Sequence, residues 1–285
     1  MTPPDPAPPA PMPSVALAIR AALLTPDSHA KVMATREVAR AWRQGRLDFS
    51  FDVAMPDQPA WPSRPELLSP AKMPRRGGGS AHGRIALWHA LAHIEFVAID
   101  LALDMAGRFG AQMRREFTSD FLSVAADEAM HFALLDRKLR SLGSHYGALP
   151  AHGGLWEAAA GTAHDVMARL AIVPMVLEAR GLDVTPATLE RVQAQGDAHG
   201  AKILSRILDD EIRHVGIGTK HFIAQCERAG ERTGETPQKR WKTLVSEHFR
   251  GAIKPPFNDS ARLAAGLSRD FYSAIAPLRN SRIHP

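Results

Sequence analysis

Two short segments of this 285-residue chain spell one pattern, Asp127-Glu128-Ala129-Met130-His131 and Asp210-Glu211-Ile212-Arg213-His214, and no other Glu-x-x-His occurs. On an α-helix, residues three apart share a face, so each segment sets a carboxylate beside an imidazole. Composition alone gives about 0.6 such motifs, so either one taken singly says little. Their upstream partners say more. Glu95 precedes Glu128 by 33 residues, and Glu178 precedes Glu211 by 33. The first interval straddles Gly110, 15 residues before it and 18 after, so an antiparallel hairpin turning there brings both glutamates to one level. The second is centred near Ala194, beside Gln195-Gly196-Asp197-Ala198-His199-Gly200, which reads as a turn.

The set is Glu95, Glu128, His131, Glu178, Glu211 and His214: one single glutamate and one Glu-x-x-His per half. Four carboxylates converging in a helical core repel one another and lose hydration unless cations balance them. Two divalent ions do so with no charge left over, and this is the ligand set of dinuclear carboxylate bundles. Oxygen and nitrogen donors without thiolate favour iron or manganese, with Fe/Fe first and Mn/Fe or Mn/Mn as alternatives. Asp127 and Asp210 precede the motif glutamates. A metal-bound histidine hands its free ring N–H to a carboxylate, so these aspartates are expected to take that part, within a helix or across helices; the alternative is a solvated helix-face acid.

The rest of the text is helical. Alternating β-branched runs are almost absent, and apolar residues recur at three and four. A helical pattern from about 15 to 46 is interrupted at Thr25-Pro26-Asp27. Proline-rich, irregular text follows from 48 to 80 and is expected to wrap over a surface. Four long helices come next, at about 81–109, 113–142, 156–193 and 201–228, the third with Pro174 and Gly181–Pro186 as kinks. Their core faces include Trp88, Leu91, Ala98, Ala102, Met105 and Phe109, then Phe117, Phe121, Val124 and Leu135. The expected organisation is a disordered proline-rich tail (1–13), N-terminal helices with a wrapping connection (14–80), an all-α four-helix metal-binding bundle (81–230) and a C-terminal helical extension (231–285).

Composition excludes more than it asserts. One cysteine, Cys226, rules out an intrachain disulfide framework, a cysteine zinc knuckle and a self-contained iron–sulfur cluster. No stretch approaches 18 uninterrupted apolar residues, so no membrane span is expected. Seven prolines in the first 13 residues leave no secretory signal, and the expected location is cytoplasmic. The net charge of +5 permits a polyanionic partner, but no aromatic-interleaved RNA-binding signature supports nucleic-acid recognition.

With these residues in view, the chain resembles the ferritin-like superfamily and more closely its domain-of-unknown-function 455 family. The likeness rests on Ala92-His93-Ile94-Glu95, Asp127-Glu128-x-x-His131-Phe132, Leu177-Glu178-Ala179-Arg180-Gly181-Leu182-Asp183 and Asp209-Asp210-Glu211-x-x-His214. Its flanks are Ala41-Trp42-Arg43, Gly45-Arg46-Leu47, Pro74-Arg75-Arg76-Gly77, Phe249-Arg250-Gly251 and Lys254-Pro255-Pro256-Phe257-Asn258. It implies a ferritin-like four-helix bundle, with additional N- and C-terminal helices and a dinuclear metal site holding all six ligands. It implies no reaction.

The expected activity is that of an oxidoreductase whose di-iron centre activates dioxygen to oxidise or hydroxylate a small organic molecule. The sequence shows no flavin fingerprint, dinucleotide loop or cysteine cluster, so an external electron donor is implied. The alternatives are iron handling (a ferroxidase without organic substrate) and a tRNA-base hydroxylase. A monomer or dimer is expected. His89, His93, His164, His199 and His221 read as structural, and Tyr146 and Tyr272 lie far in sequence from the ligands. Pro174 or Gly181 is a place where the third helix can open beside the site.

Overall fold

The computed structural model describes residues 12–69, 72–74 and 80–273, excepting the side chains of 229–233. The proline-rich tail up to residue 11 and the Arg75-Arg76-Gly77 part of the expected turn lie outside the described residues. Among those described, all regular structure is helical.

Local capping decides where helices begin. Asp27 accepts the Ala30 N–H at 2.8 Å and opens α2 (Ser28–Arg43), after α1 (Val15–Leu23), so the Thr25-Pro26-Asp27 interruption falls where expected. Ser80 accepts the Gly83 N–H and opens α3 (Ala81–Phe109), which turns through a short 3₁₀ stretch, Gly110–Gln112, into α4 (Arg115–Ser141). Gly143, with φ of +73°, takes the left-handed conformation that stops α4. By length and composition alone Ala81–Gln112 could cross a membrane, although it holds no uninterrupted run of 18 apolar residues. Its apolar window is 67% buried in the protein, as suits a helix enclosed on most sides.

The third expected helix is not continuous. It divides into α5 (Gly154–Ala160) and α6 (Val166–Ile172), a π-helical stretch Val173–Glu178, and α7 (Ala179–Ala194). Gly161 and the Asp165 cap, whose carboxylate accepts the Met167 N–H at 2.7 Å, make the break after α5. Pro174, with no N–H to give, yields a widened turn and not a kink. Gly181 and Pro186 sit inside α7 without breaking it. Next comes α8 (Ala198–Thr233), then α9 (Pro237–His248), α10 (Asp259–Ala264) and α11 (Arg269–Tyr272).

The helices α3 and α4 pack along each other, as do α7 and α8, and α4 packs on α8. Three contacts fix the direction of that last pair: Asp120–His221 at 2.8 Å, Asp127–His214 at 3.4 Å and His131–Asp210 at 3.1 Å. Numbers rise on α4 as they fall on α8, so the two run antiparallel. Gly218 of α8 lets the π-helical stretch come close, since a Cβ there would lie 2.3 Å from the Pro174 ring. Buried ion pairs seat the N-terminal helices and α6 on α3. Lys31 Nζ meets Asp100 at 2.6 Å, both side chains fully enclosed, and the Trp61 indole N–H donates to the other Asp100 oxygen at 2.7 Å. Arg169 and Arg108 share Asp104. The wrapping loop is tied down where Ala151 and Glu66–Leu68 exchange backbone hydrogen bonds.

Candidate metal centre

Burial alone sets the stage. Glu128, His131 and His214 are fully enclosed, while Glu95 and Glu211 are less than a tenth exposed. One ligand atom from each of Glu95, Glu128, His131 and Glu211 lies within 4.8 Å of all the others, a grouping that could hold a metal ion. The hairpin of α3 and α4 brings Glu95 and Glu128 to one level: His131 Nδ1 stands 3.3 Å from Glu95 Oε2 and 3.2 Å from Glu128 Oε2. His214 joins from α8, its Nδ1 2.9 Å from Glu128 Oε1 and 3.7 Å from Glu211 Oε1. Glu128 is thus the hinge of the set, reached by both imidazoles.

Each histidine turns its other nitrogen outward, and the partner lies across the helix pair. His131 Nε2 meets Asp210, and His214 Nε2 meets Asp127. Each aspartate thus faces a histidine of the opposite helix, a crossed arrangement. Each is held by an arginine: Arg206 donates to Asp210 at 2.6 Å, and Arg213 pairs with Asp127. Burial raises both aspartates, but the hydrogen bonds and charges of these partners outweigh it and keep their carboxyls low.

Glu178 stands apart from the tight group. It ends the π-helical stretch, is partly exposed, and lines the same cavity as Glu95, Glu128 and Glu211. Burial, then the charges of Glu211 and Glu128, push its carboxyl up to about 8. Burial also raises Glu95 and Glu211, each reinforced by Glu128. Glu128 goes the other way: burial opposes its ionisation, but His214 and His131 together outweigh burial and hold it low. The same carboxylates overcome burial to lift His131 to about 11 and His214 well above its ordinary range. With protons as the only cations, Glu128, reached by both imidazoles, stays ionised, and protons go to Glu95, Glu178 and Glu211.

Two atoms test whether a metal fits. Glu128 Oε1 and His214 Nδ1 are buried and face each other, yet neither makes a hydrogen bond of acceptable geometry. A buried carboxylate oxygen and imidazole nitrogen left in this way are costly unless a cation lies between their lone pairs. The residues present suit a metal ion.

Beside the carboxylates lies a cavity of about 350 Å³. Its walls are mostly apolar, from Leu91 and Ala98 on α3 to Leu204 and Ile207 on α8. A strap formed by residues 249–257 covers it with Phe249, Ile253 and Phe257. Arg180 fastens the strap by donating to the carbonyls of Lys254 and Pro256 at 2.9 and 3.1 Å.

The chain matches the family model described as "Protein of unknown function (DUF455)" over residues 24–273. It belongs to the DUF455 family. It is also 40% identical over 228 residues to a protein of Haemophilus influenzae described as uncharacterized, covering 78% of each chain. No solved structure matches it.

Sequence reasoning missed three things in this member of the DUF455 family. His221, read as structural with no partner named, pairs with Asp120; the signal was there, since Asp120 and His221 each lie seven residues, two turns, from Asp127 and His214. Tyr146, distant in the text, packs its ring 5.2 Å from Phe96 and 5.0 Å from Phe132, the residues following Glu95 and His131. Its hydroxyl lies 3.0 Å from Nδ1 of His93, which burial holds down at about 4 and so neutral. The strap could not be read as part of the site. His89 is core, as expected, accepting the Gly147 N–H at 2.9 Å.

Proposed function

We propose that the chain is a ferritin-like four-helix bundle that holds two metal ions, iron foremost, and uses dioxygen to oxidise a small organic molecule. Glu95, Glu128, His131, Glu178, Glu211 and His214 would hold the pair. The observation that carries the reading is the crossed arrangement of Asp127–His214 and Asp210–His131 around a buried carboxylate cluster that opens on an apolar cavity. Iron storage calls for no such cavity.

When bound, the metal pair would supply redox chemistry toward dioxygen. The chain's own residues prepare for it. Asp210 and Asp127 accept the Nε2–H of their histidines, which fixes the tautomer and leaves the Nδ1 lone pair facing the carboxylate cluster, where a cation would be held. Arg206 and Arg213 keep those aspartates ionised. Glu178, which holds its proton to about pH 8, releases it when a cation enters. The apolar walls exclude water from a bound substrate. With a single cysteine in the chain, electrons come from a separate reductase or from the substrate.

Anaerobic titration with ferrous ion should saturate at two equivalents per chain. Admitting oxygen should then give rapid uptake that Glu128→Ala abolishes. A purified protein that takes up neither iron nor manganese would end the reading, and loading far beyond two irons per chain would turn it toward storage.

A further inference from the structure

We propose that the cavity takes an apolar molecule ending in one anionic group, a carboxylate or phosphate. That group sits at the mouth on Arg180 and Lys254, and the apolar end runs down to the glutamates. The claim about which molecule binds stands on the cavity; the claim about which end reacts rests on the proposed metal pair.

The size comes first. At roughly 30 Å³ per water-sized group, about 350 Å³ holds about a dozen heavy atoms. The walls offer such a body apolar surface and few polar groups, the ordinary make-up of a small-molecule site. The charges then decide the head group. Arg262 and Asp183 are both buried and cancel, joined by two hydrogen bonds of 2.8 and 2.7 Å. The glutamates on the floor are matched by the two divalent cations they would hold, with His131 and His214 as neutral ligands. Two charges remain, those of Arg180 and Lys254.

Among the described residues Arg180 commits only Nη1, which serves the strap carbonyls; the nearest carboxylate, Asp183, is 3.5 Å away and already held by Arg262. Its other donors are uncommitted, and a guanidinium fork suits a carboxylate or phosphate. Lys254 lines the cavity, is exposed at its rim, and meets no acidic partner among the described residues. A cationic head would be repelled there. The floor, its charges matched, offers an anionic head no surplus positive charge, so the head stays at the mouth and the molecule enters apolar end first.

Octanoate, octyl phosphate, octanol and octylamine, titrated calorimetrically into the full chain as purified, test this. The two anions should bind and octylamine should not; whichever anion binds tighter assigns the head group. Octanol should bind at least about five-fold more weakly than octanoate, as for one exposed charge contact. Lys254→Gln should weaken octanoate about five-fold and Lys254→Glu should weaken it further, each leaving octanol unchanged. Since Lys254 is exposed and meets no acidic partner among the described residues, neither variant should disturb folding. In manganese-loaded protein, the terminal methyl of octanoate should broaden more in its NMR spectrum than the methylene next to the carboxylate. Octanol binding as tightly as octanoate, indifference to Lys254→Glu, or the reverse broadening gradient would overturn the proposal. If no manganese binds, the metal reading fails by itself, and the calorimetry still decides the head group.

Discussion

Glu178 offers the sharpest test of the site's energetics, because it costs the metal-free protein stability that a metal ion would return. In the unfolded chain its carboxyl ionises near its ordinary value of 4.5, whereas in the fold burial and the charges of Glu211 and Glu128 delay this to about 8. Between those values the folded state binds more protons than the unfolded one, so stability falls as pH rises. Below 4.5 there is no cost; above 8 it is fully present. A displacement of that size corresponds to about 4–5 kcal/mol at ~1.4 kcal/mol per pH unit, and the partial exposure of Glu178 reduces this to about 2 kcal/mol. Glu178→Gln removes the charge and keeps the shape. In chelator-treated protein, urea denaturation should show the variant about 2 kcal/mol more stable than wild type at pH 8 and nearly equal at pH 5. Saturating manganese should reverse the order at pH 8, because only the wild type gains a ligand. If Glu178→Gln changes stability equally at both pH values, Glu178 does not face the other carboxylates and the argument is wrong.

Three further outcomes follow from contacts already described. Asp210→Asn and Asp127→Asn should each lower metal affinity by about 10–100-fold in chelator competition, by freeing a histidine ring; unchanged affinity would reduce them to surface acids. Lys31→Met leaves Asp100 charged in the core with Trp61 as its remaining partner, and should cost about 3–5 kcal/mol in denaturant titration; adding Asp100→Asn should recover most of it, and no recovery would mean that packing, not charge, is responsible. Gly218→Ala drives a methyl into the Pro174 ring and should cost about 1–3 kcal/mol while weakening iron binding; a change in stability without a change in binding would separate the π-helical stretch from the site.

The all-helical architecture and the grouping of Glu95, Glu128, His131 and Glu211 were legible because they rest on periodicity and on spacing about a turn. The crossed aspartates were half legible: their position beside the motif was visible, their partner helix was not. What failed to show was whatever depends on a tertiary neighbour. Pro174 announced an irregularity, but only its fit against Gly218 makes it a π-helical turn that sets Glu178 back from the tight cluster. The break at Gly161 was lost in an otherwise continuous apolar period. Tyr146 and the strap reach the site through space, 50 residues and more from Glu95 along the chain in the first case and 35 beyond His214 in the second.

The three rungs between α4 and α8 work as a gauge. Asp120–His221, Asp127–His214 and His131–Asp210 join the same two helices at intervals of whole turns or nearly so, each at hydrogen-bond length. Sliding α8 by one turn, about 5.4 Å, would break every rung at once. The relative height of the two Glu-x-x-His motifs is therefore set along the whole seam, and a substitution at Asp120 or His221, two turns from the nearest ligand, would be felt as a misfit at the carboxylates.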